Sequence, residues 1–104
     1  MKDCLIFDLN APRGSQWSTL TSLPAPRGGG GLTYSASESK LIFAAGAIRP
    51  TVGDAAAEDQ KDAWSYDLRQ GSKGSWVRLA DFPYLGNHLG FTRAYDQKGL
   101  EHIY

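Results

Sequence analysis

The chain has 104 residues, enough for one small domain, and its 11 basic and 11 acidic residues give a formal net charge of zero. This balance argues against a surface that binds nucleic acid or membranes through charge. A single cysteine, Cys4, excludes an intrachain disulfide and a cysteine-based zinc site. No apolar run approaches the roughly 20 residues of a membrane span. The charged N-terminus is a poor signal peptide, which favours the cytoplasm without fixing the compartment.

Strand and turn signals alternate along the chain. Short apolar or half-apolar segments are separated by turns rich in Gly, Pro, Asn, Asp and Ser, which predicts eight strands. In chain order these segments are 4–9, 16–20, 30–36, 40–46, 63–68, 75–79, 89–95 and 99–104. The segment 54–62 has helix-forming residues but almost no apolar stripe, so we predict a loop with at most one helical turn there. The sequence therefore predicts an all-β fold.

The two halves of the sequence resemble each other at a fixed spacing of 59 residues, the distance from Trp17 to Trp76. A gapless alignment of 2–45 with 61–104 contains ten identities in 44 pairs. Ordinary residue frequencies would give roughly three. The matches fall on Trp, Pro, Gly and strand-centre Leu, so each repeat is predicted to form four strands.

This repeat resembles the kelch repeat, whose copies form the four-stranded blades of β-propellers. The resemblance covers nearly the whole chain and rests on a glycine after an apolar strand, a strand ending in Tyr-Asp-Leu, a later tryptophan, and Leu-Pro with Arg-Gly nearby. The kelch period is about 50 residues, so the spacing of 59 implies a longer loop at 47–61. Ala45 departs from the pattern, because the family has a Gly-Gly doublet there. The positions that match the family are Trp17, Trp76, Phe7, Tyr66 and Gly46.

By this resemblance the chain 1–104 is a partial propeller of about two blades. Residues 1–27 would supply strands c and d of one blade, 28–79 one complete blade, and 80–104 strands a and b of the next. Propellers close with four to eight blades, so two would leave apolar strands unpaired at the edges. This predicts either a piece of a longer protein or a chain that self-assembles. The alternative is that the outer strands pair with each other in one compact unit.

The stretch Arg27–Gly31 reads Arg followed by four glycines and leads into the innermost strand of the predicted complete blade. Gly90 aligns with Gly31, so we interpret the glycines as room for close backbone packing near the propeller axis. A phosphate-binding loop would need Gly-Lys-Ser or Gly-Lys-Thr next, and Leu-Thr-Tyr follows instead.

The strand order also predicts a functional face. In an up-and-down meander the b–c and d–a loops share one end, so the long loop 47–61 should meet 23–28 and 82–87. Kelch proteins commonly bind peptides or small ligands there, often through d–a arginines, which implies Arg27 as an anion or carboxylate contact. The alternative is that Arg27 only caps loop carbonyls. The other predicted partner contacts are Arg49, Tyr84, Asn87 and His88, with Asp54, Glu58 and Asp59 at the rim.

No catalytic set is recognisable: the sequence has no HExxH, no Cys-His pairing and no Gly-x-Ser-x-Gly, and His102 is predicted to be a packing residue in a strand. We therefore predict a non-catalytic kelch-type binding module that uses no cofactor and no metal. Its predicted partner is a protein or peptide, with a small carbohydrate as the alternative ligand. The alternatives are a fragment of a kelch-type enzyme, resembling galactose oxidase with its copper or the sialic-acid mutarotases, and a truncated product without independent function.

Overall fold

A computed structural model of the chain describes residues 2–48, 58–86 and 89–104. Within these ranges the protein is all-β, and no helix there is long and apolar enough to cross a membrane. A single 3-10 turn, Leu68–Gln70, follows the seventh strand. The strands are β1 Cys4–Phe7, β2 Trp17–Leu20, β3 Gly31–Ser35, β4 Lys40–Ala44, β5 Ala47–Ile48, β6 Glu58–Asp59, β7 Ala63–Asp67, β8 Trp76–Leu79, β9 Arg93–Tyr95 and β10 Glu101–Ile103.

The centre of the fold is a four-stranded antiparallel sheet in the order β3-β4-β7-β8. We call it the central sheet. Leu41 lies opposite Tyr66, and Tyr66 lies opposite Trp76, so apolar side chains of neighbouring strands share one face. All four strands come from the segment 28–79, and they follow one another in chain order.

Two hairpins flank the central sheet. β1 pairs with β2, with Cys4 opposite Leu20, and β9 pairs with β10, with Arg93 opposite Ile103. Each hairpin is a separate two-stranded sheet, so none of the sheets in the described residues closes on itself. Each of the eight predicted strand segments contains an observed strand.

The loop between β4 and β7 differs from its prediction. β5 pairs with β6, with Ala47 opposite Asp59, so residues 58–59 form a strand and not a helical turn. The rest of the predicted turn, 54–57, lies outside the described residues. The described part of the segment is thus a loop except for this two-residue strand, and backbone pairing with β5 there outweighs the helix propensity of a short segment that has no apolar stripe.

Among the described residues, Tyr66 is the largest side chain that is fully buried. Its hydroxyl donates to the Gly71 carbonyl at 2.5 Å and accepts from the Gly74 N–H at 2.6 Å, which fixes the β7–β8 connection. Its ring lies 5.3 Å from that of Trp76. The Trp76 indole in turn donates to the Thr21 carbonyl at 2.9 Å. The first hairpin is thereby joined to the central sheet.

The last hairpin is joined to the central sheet by a carboxylate. Glu101 on β10 accepts hydrogen bonds from the Ser35 hydroxyl, the Ala36 N–H at 3.0 Å and the Ser37 N–H at 3.2 Å, all at the β3–β4 turn. These bonds, the one from Ser35 above all, lower the pKa of Glu101 below its usual value. The sequence pattern gave no indication of this contact.

The internal repeat changes its spacing in the last hairpin. Gly31 lies opposite Ala44, so the gapless alignment would pair Gly90 with Ile103, but Arg93 takes that place. The turns differ in length: Ser35 and Lys40 enclose four residues, whereas Asp96 and Leu100, joined by a backbone bond of 2.8 Å, enclose three. Matching Ser35 with Asp96 and Lys40 with Leu100 moves β9 by two positions and β10 by one relative to the spacing of 59, which together give the shift of three.

Gly31 and Gly46, in the first copy of the repeat, are closely packed, whereas Gly90 in the second copy is not. A Cβ on Gly31 would lie 2.6 Å from the Phe91 ring, and one on Gly46 would lie 2.9 Å from the Gly30 nitrogen. Around Gly90, in contrast, there is open space. Within the four-glycine run, Gly30 and Gly31 thus provide room mainly for the rings of Phe43 and Phe91, and the predicted equivalence of Gly90 does not extend to its packing.

Candidate functional site

The loops at one end of the central sheet come together in a single surface. They connect β2 with β3, β4 with β7, and β8 with β9. These are the loops that the strand order predicts to meet. We call this surface the loop face, and its described residues are 21–30, 45–48, 58–62, 80–86 and 89–92.

Backbone hydrogen bonds hold the loop face together. Gly28 and Ala47 exchange two of them, at 3.0 and 2.8 Å. Gly46 donates to the Gly86 carbonyl at 2.9 Å and accepts from the Gln60 N–H at 2.7 Å. Gly86 also donates to the Gln60 carbonyl at 3.2 Å. Since each bond joins two different loops or two arms of one loop, the surface does not depend on side chains for its shape.

Arg27 lies inside the loop face. Its Nη2 is 2.6 Å from Oδ2 of Asp62, and the two side chains are only 7% and 10% exposed. Its Nη1 donates to the Pro26 carbonyl at 2.9 Å. The structure therefore gives Arg27 a carboxylate partner within the chain and a loop carbonyl as well.

Asp62 also connects this ion pair to Trp64 and Arg78, a contact that the sequence did not suggest. Its Oδ2 also accepts from the Trp64 indole at 2.6 Å, and the Arg78 guanidinium lies 5.3 Å from the Trp64 ring centre. Burial raises the pKa of Asp62, but the hydrogen bonds from Arg27 and Trp64 outweigh it and hold the pKa below its usual value. Arg27 Nε and Asp62 Oδ1 are buried without a hydrogen-bond partner among the described residues.

Among the described residues of the loop face, the large apolar side chains that are exposed lie on the β8–β9 loop. Tyr84 is 73% exposed and Leu85 is 64% exposed. The Tyr84 ring meets Phe82 edge-on, with 6.2 Å between the ring centres. Leu85 was not predicted as a contact residue. A tyrosine and a leucine exposed side by side offer apolar contact area together with one hydroxyl for hydrogen bonding.

The remaining predicted contacts fall into two groups. Arg49, Asn87, His88 and Asp54 lie outside the described residues. Glu58 and Asp59 are exposed on β6, at the edge of the loop face.

Two residues with reactive side chains lie away from the loop face. Cys4 is half-buried on β1, and burial raises the pKa of its thiol. His102 lies on β10 with its Nε2 2.8 Å from Asp96 and its side chain half-exposed, so the prediction that it is a packing residue is wrong. In the part of the chain that the structure describes, His, Cys, Asp and Glu nowhere form a group of three that could hold a metal ion.

The loop face thus combines a buried, internally compensated ion pair with an exposed aromatic and aliphatic edge. No model of a known protein family matches the chain, and no curated protein is detectably similar to it in sequence. The chemistry of the loop face therefore rests on its own geometry. That geometry favours contact with an apolar or aromatic group over capture of a free anion by Arg27.

Proposed function

We propose that the chain is a non-catalytic binding module of the kelch-propeller type, which binds a protein or peptide on the loop face. The observation that carries this proposal is the convergence of three loops, held by the backbone bonds between Gly28 and Ala47 and between Gly46 and Gly86. Loops that are positioned by a rigid sheet are a common place for binding residues.

The kelch assignment is supported by backbone conformation at the predicted doublet. Ala45 and Gly46 both have positive φ, 60° and 91°, directly after β4. This is the region that favours glycine, which gives a physical reason for a Gly-Gly doublet at this place. The four-stranded meander over 28–79 and the packing of the buried Tyr66 against Trp76 fit the same assignment.

A peptide or protein suits the accessible groups better than a small charged ligand. Tyrosine is enriched among residues that dominate protein interfaces, and Tyr84 is mostly exposed beside Leu85. Arg27 is already neutralised by Asp62, and freeing it would leave a buried carboxylate unpaired. The contact is therefore apolar at its centre.

The proposal predicts that Tyr84→Ala combined with Leu85→Ala removes peptide binding. Linear peptides selected from a random phage-displayed library on the wild-type chain should bind the double variant at least about tenfold more weakly, since hot-spot truncations cost about 2 kcal/mol or more. Affinity is measured with synthetic copies of the selected peptides by fluorescence anisotropy.

The control is Leu9→Ala. Leu9 is also highly exposed, but it lies in the β1–β2 turn, at the opposite end of β2 from the β2–β3 loop of the loop face. It should leave the affinities unchanged. Selected peptides that bind the double variant as tightly as the wild type, or a selection that enriches no peptide, would contradict the loop face as the binding surface.

A further inference from the structure

In the described part of the chain, each of the two hairpins has one strand with an unpaired edge. The corresponding two strands of the central sheet pair with each other. There β4 pairs with β7. In the repeat β10 corresponds to β4 and β1 corresponds to β7. Within the described residues, however, β10 is bonded only to β9 and β1 only to β2. One edge of each is therefore open, and an open apolar edge is a template for strand pairing.

The outward groups on β1 are fixed by its pairing with β2. The Asp8 N–H donates to the Gln16 carbonyl, so the even-numbered residues of this strand direct their backbone groups toward β2. Leu5 and Phe7 consequently direct their N–H and C=O groups to the open edge. In the central sheet the counterparts of these residues are Trp64 and Tyr66. The Ala45 N–H donates to the Asp62 carbonyl, so the even-numbered residues of β7 direct their backbone groups toward β4.

The outward groups on β10 are fixed in the same way. Tyr104 and Thr92 exchange two backbone bonds of 2.9 Å, so Glu101 and Ile103 direct their N–H and C=O groups to the open edge. Their side chains face the central sheet: Glu101 bonds to the β3–β4 turn, and Ile103 lines a cleft against Ile42.

Turn geometry sets the register between the two edges. Ser39 and Gly99 both have positive φ, 54° and 78°, and each ends the turn that leads into β4 or β10. Matching them places Glu101 at the position of Leu41. Because Leu41 lies opposite Tyr66, Glu101 should lie opposite Phe7. Ile103 should then lie opposite Leu5.

We propose that β10 of one copy of this chain pairs antiparallel with β1 of a second copy, in that register. The result is a second four-stranded sheet in the order β9-β10-β1-β2, whose two halves come from different copies. The contact is head-to-tail, and such contacts generate closed rings when the rotation allows. Four to eight blades correspond to rings of about two to four copies.

Pairing with a second copy would cover aromatic side chains of β1 and β2 that are exposed in the single chain, which supports a second copy as the partner. Phe7 and Trp17 lie 4.9 Å apart, ring to ring, and are 42% and 65% exposed. Their counterparts in the central sheet are Tyr66, which is fully buried, and Trp76, which lines a cleft against the first hairpin. The chain thus covers the copy of this aromatic pair in the central sheet, whereas the copy in the first hairpin stays exposed.

The chain also has a surface against which the aromatic pair of a second copy can pack. A cleft of about 290 Å³ between the central sheet and the last hairpin is lined by Ala63, Phe82 and Ile103 among others. Ala63 and Phe82 are the repeat counterparts of Cys4 and Leu23, which line the cleft that holds Trp76. In the proposed assembly Phe7 and Trp17 of the second copy lie at this cleft. This cleft shares Phe82 with the loop face but is not lined by Tyr84 or Leu85, so the inference stands or falls separately from peptide binding.

A disulfide tests the register. The proposed pairing sets Tyr104 opposite Cys4, the only cysteine, as a pair that exchanges no backbone bonds. Such pairs have Cα atoms about 4.5 Å apart, within disulfide range. Tyr104→Cys should form dimers and larger species on oxidation, seen by non-reducing electrophoresis and lost on reduction. Ile103→Cys is the control, because its side chain lies on the opposite sheet face from Cys4, and it should stay uncrosslinked.

Light scattering of the chain with free thiols supplies the second measurement. The wild type should have a mass of about two to four times 11.3 kDa. Phe7→Asp should shift it to the mass of one chain while the far-ultraviolet circular dichroism stays the same. A monomeric wild type, a disulfide formed within one chain by Tyr104→Cys, or crosslinking of Ile103→Cys equal to that of Tyr104→Cys would each overturn the proposal.

Discussion

Asp62→Asn is expected to lower the free energy of unfolding by about 3–5 kcal/mol, because it leaves the buried guanidinium of Arg27 without a counter-charge. The two side chains are 7% and 10% exposed and meet at 2.6 Å. Water therefore cannot solvate the charge that remains. Urea unfolding followed by tryptophan fluorescence measures the change.

The matched control is Asp81→Asn. Asp81 meets Arg78 at 2.7 Å, a contact of nearly the same length, but both side chains are about half exposed, at 40% and 54%. We expect a loss below about 1 kcal/mol there, because water solvates exposed ion pairs. Replacing both buried partners, Arg27→Met with Asp62→Leu, should recover most of the loss. Equal losses at the buried and the exposed pair would contradict the assigned role of burial.

The same pair predicts a pH dependence. The pKa of Asp62 in the folded chain lies below the ordinary value of 3.8. Its ionised form is therefore favoured by folding, so the contribution is fully present above the ordinary pKa and is lost as the pH falls through the folded one. The stability difference between wild type and Asp62→Asn should shrink below about pH 4. A difference that stays constant from pH 7 to acid would contradict this.

Tyr66→Ala is expected to lower the free energy of unfolding by about 3–5 kcal/mol, the usual cost of deleting a large buried aromatic side chain. Tyr66→Phe keeps the ring but leaves the Gly71 carbonyl and the Gly74 N–H without the hydroxyl. It should cost about 1–3 kcal/mol, since both bonds are short, at 2.5 and 2.6 Å. The same urea titration measures both variants.

Tyr84→Phe is the control for the hydroxyl. Tyr84 is mostly exposed, so removing its oxygen should change stability by less than about 0.5 kcal/mol. If Tyr66→Phe is as stable as the wild type, the hydroxyl does not organise the β7–β8 connection.

The strands were predictable from the sequence because their apolar runs are bounded by turn residues, as in 63–68 between Lys61-Asp62 and the Arg-Gln-Gly turn. β5 and β6 were not, because two residues each are too few to show a period. The register of the last hairpin was not predictable either. It depends on the position of the turn as well as on its length, since β9 is displaced by two positions and β10 by one, and a gapless alignment does not detect such shifts.

The candidate site was predictable in outline only. Strand order was enough to bring the three loops together, since it fixes at which end each loop lies. It did not identify Asp62 as the partner of Arg27, because a contact between residues 35 apart in sequence depends on tertiary packing. The exposure of Leu85 beside Tyr84 likewise follows from the path of the loop and not from a motif.

The most direct test of the loop face as a preformed binding surface is amide hydrogen exchange of the free chain, read residue by residue by NMR. The N–H groups of Gly28, Gly46 and Gly86 each donate to another loop or to another arm of a loop. We expect these three N–H groups to exchange as slowly as the amides of β4 and β7. Exchange as fast as that of the exposed β9–β10 turn would contradict it, because the loops would then not form one surface in the absence of a partner.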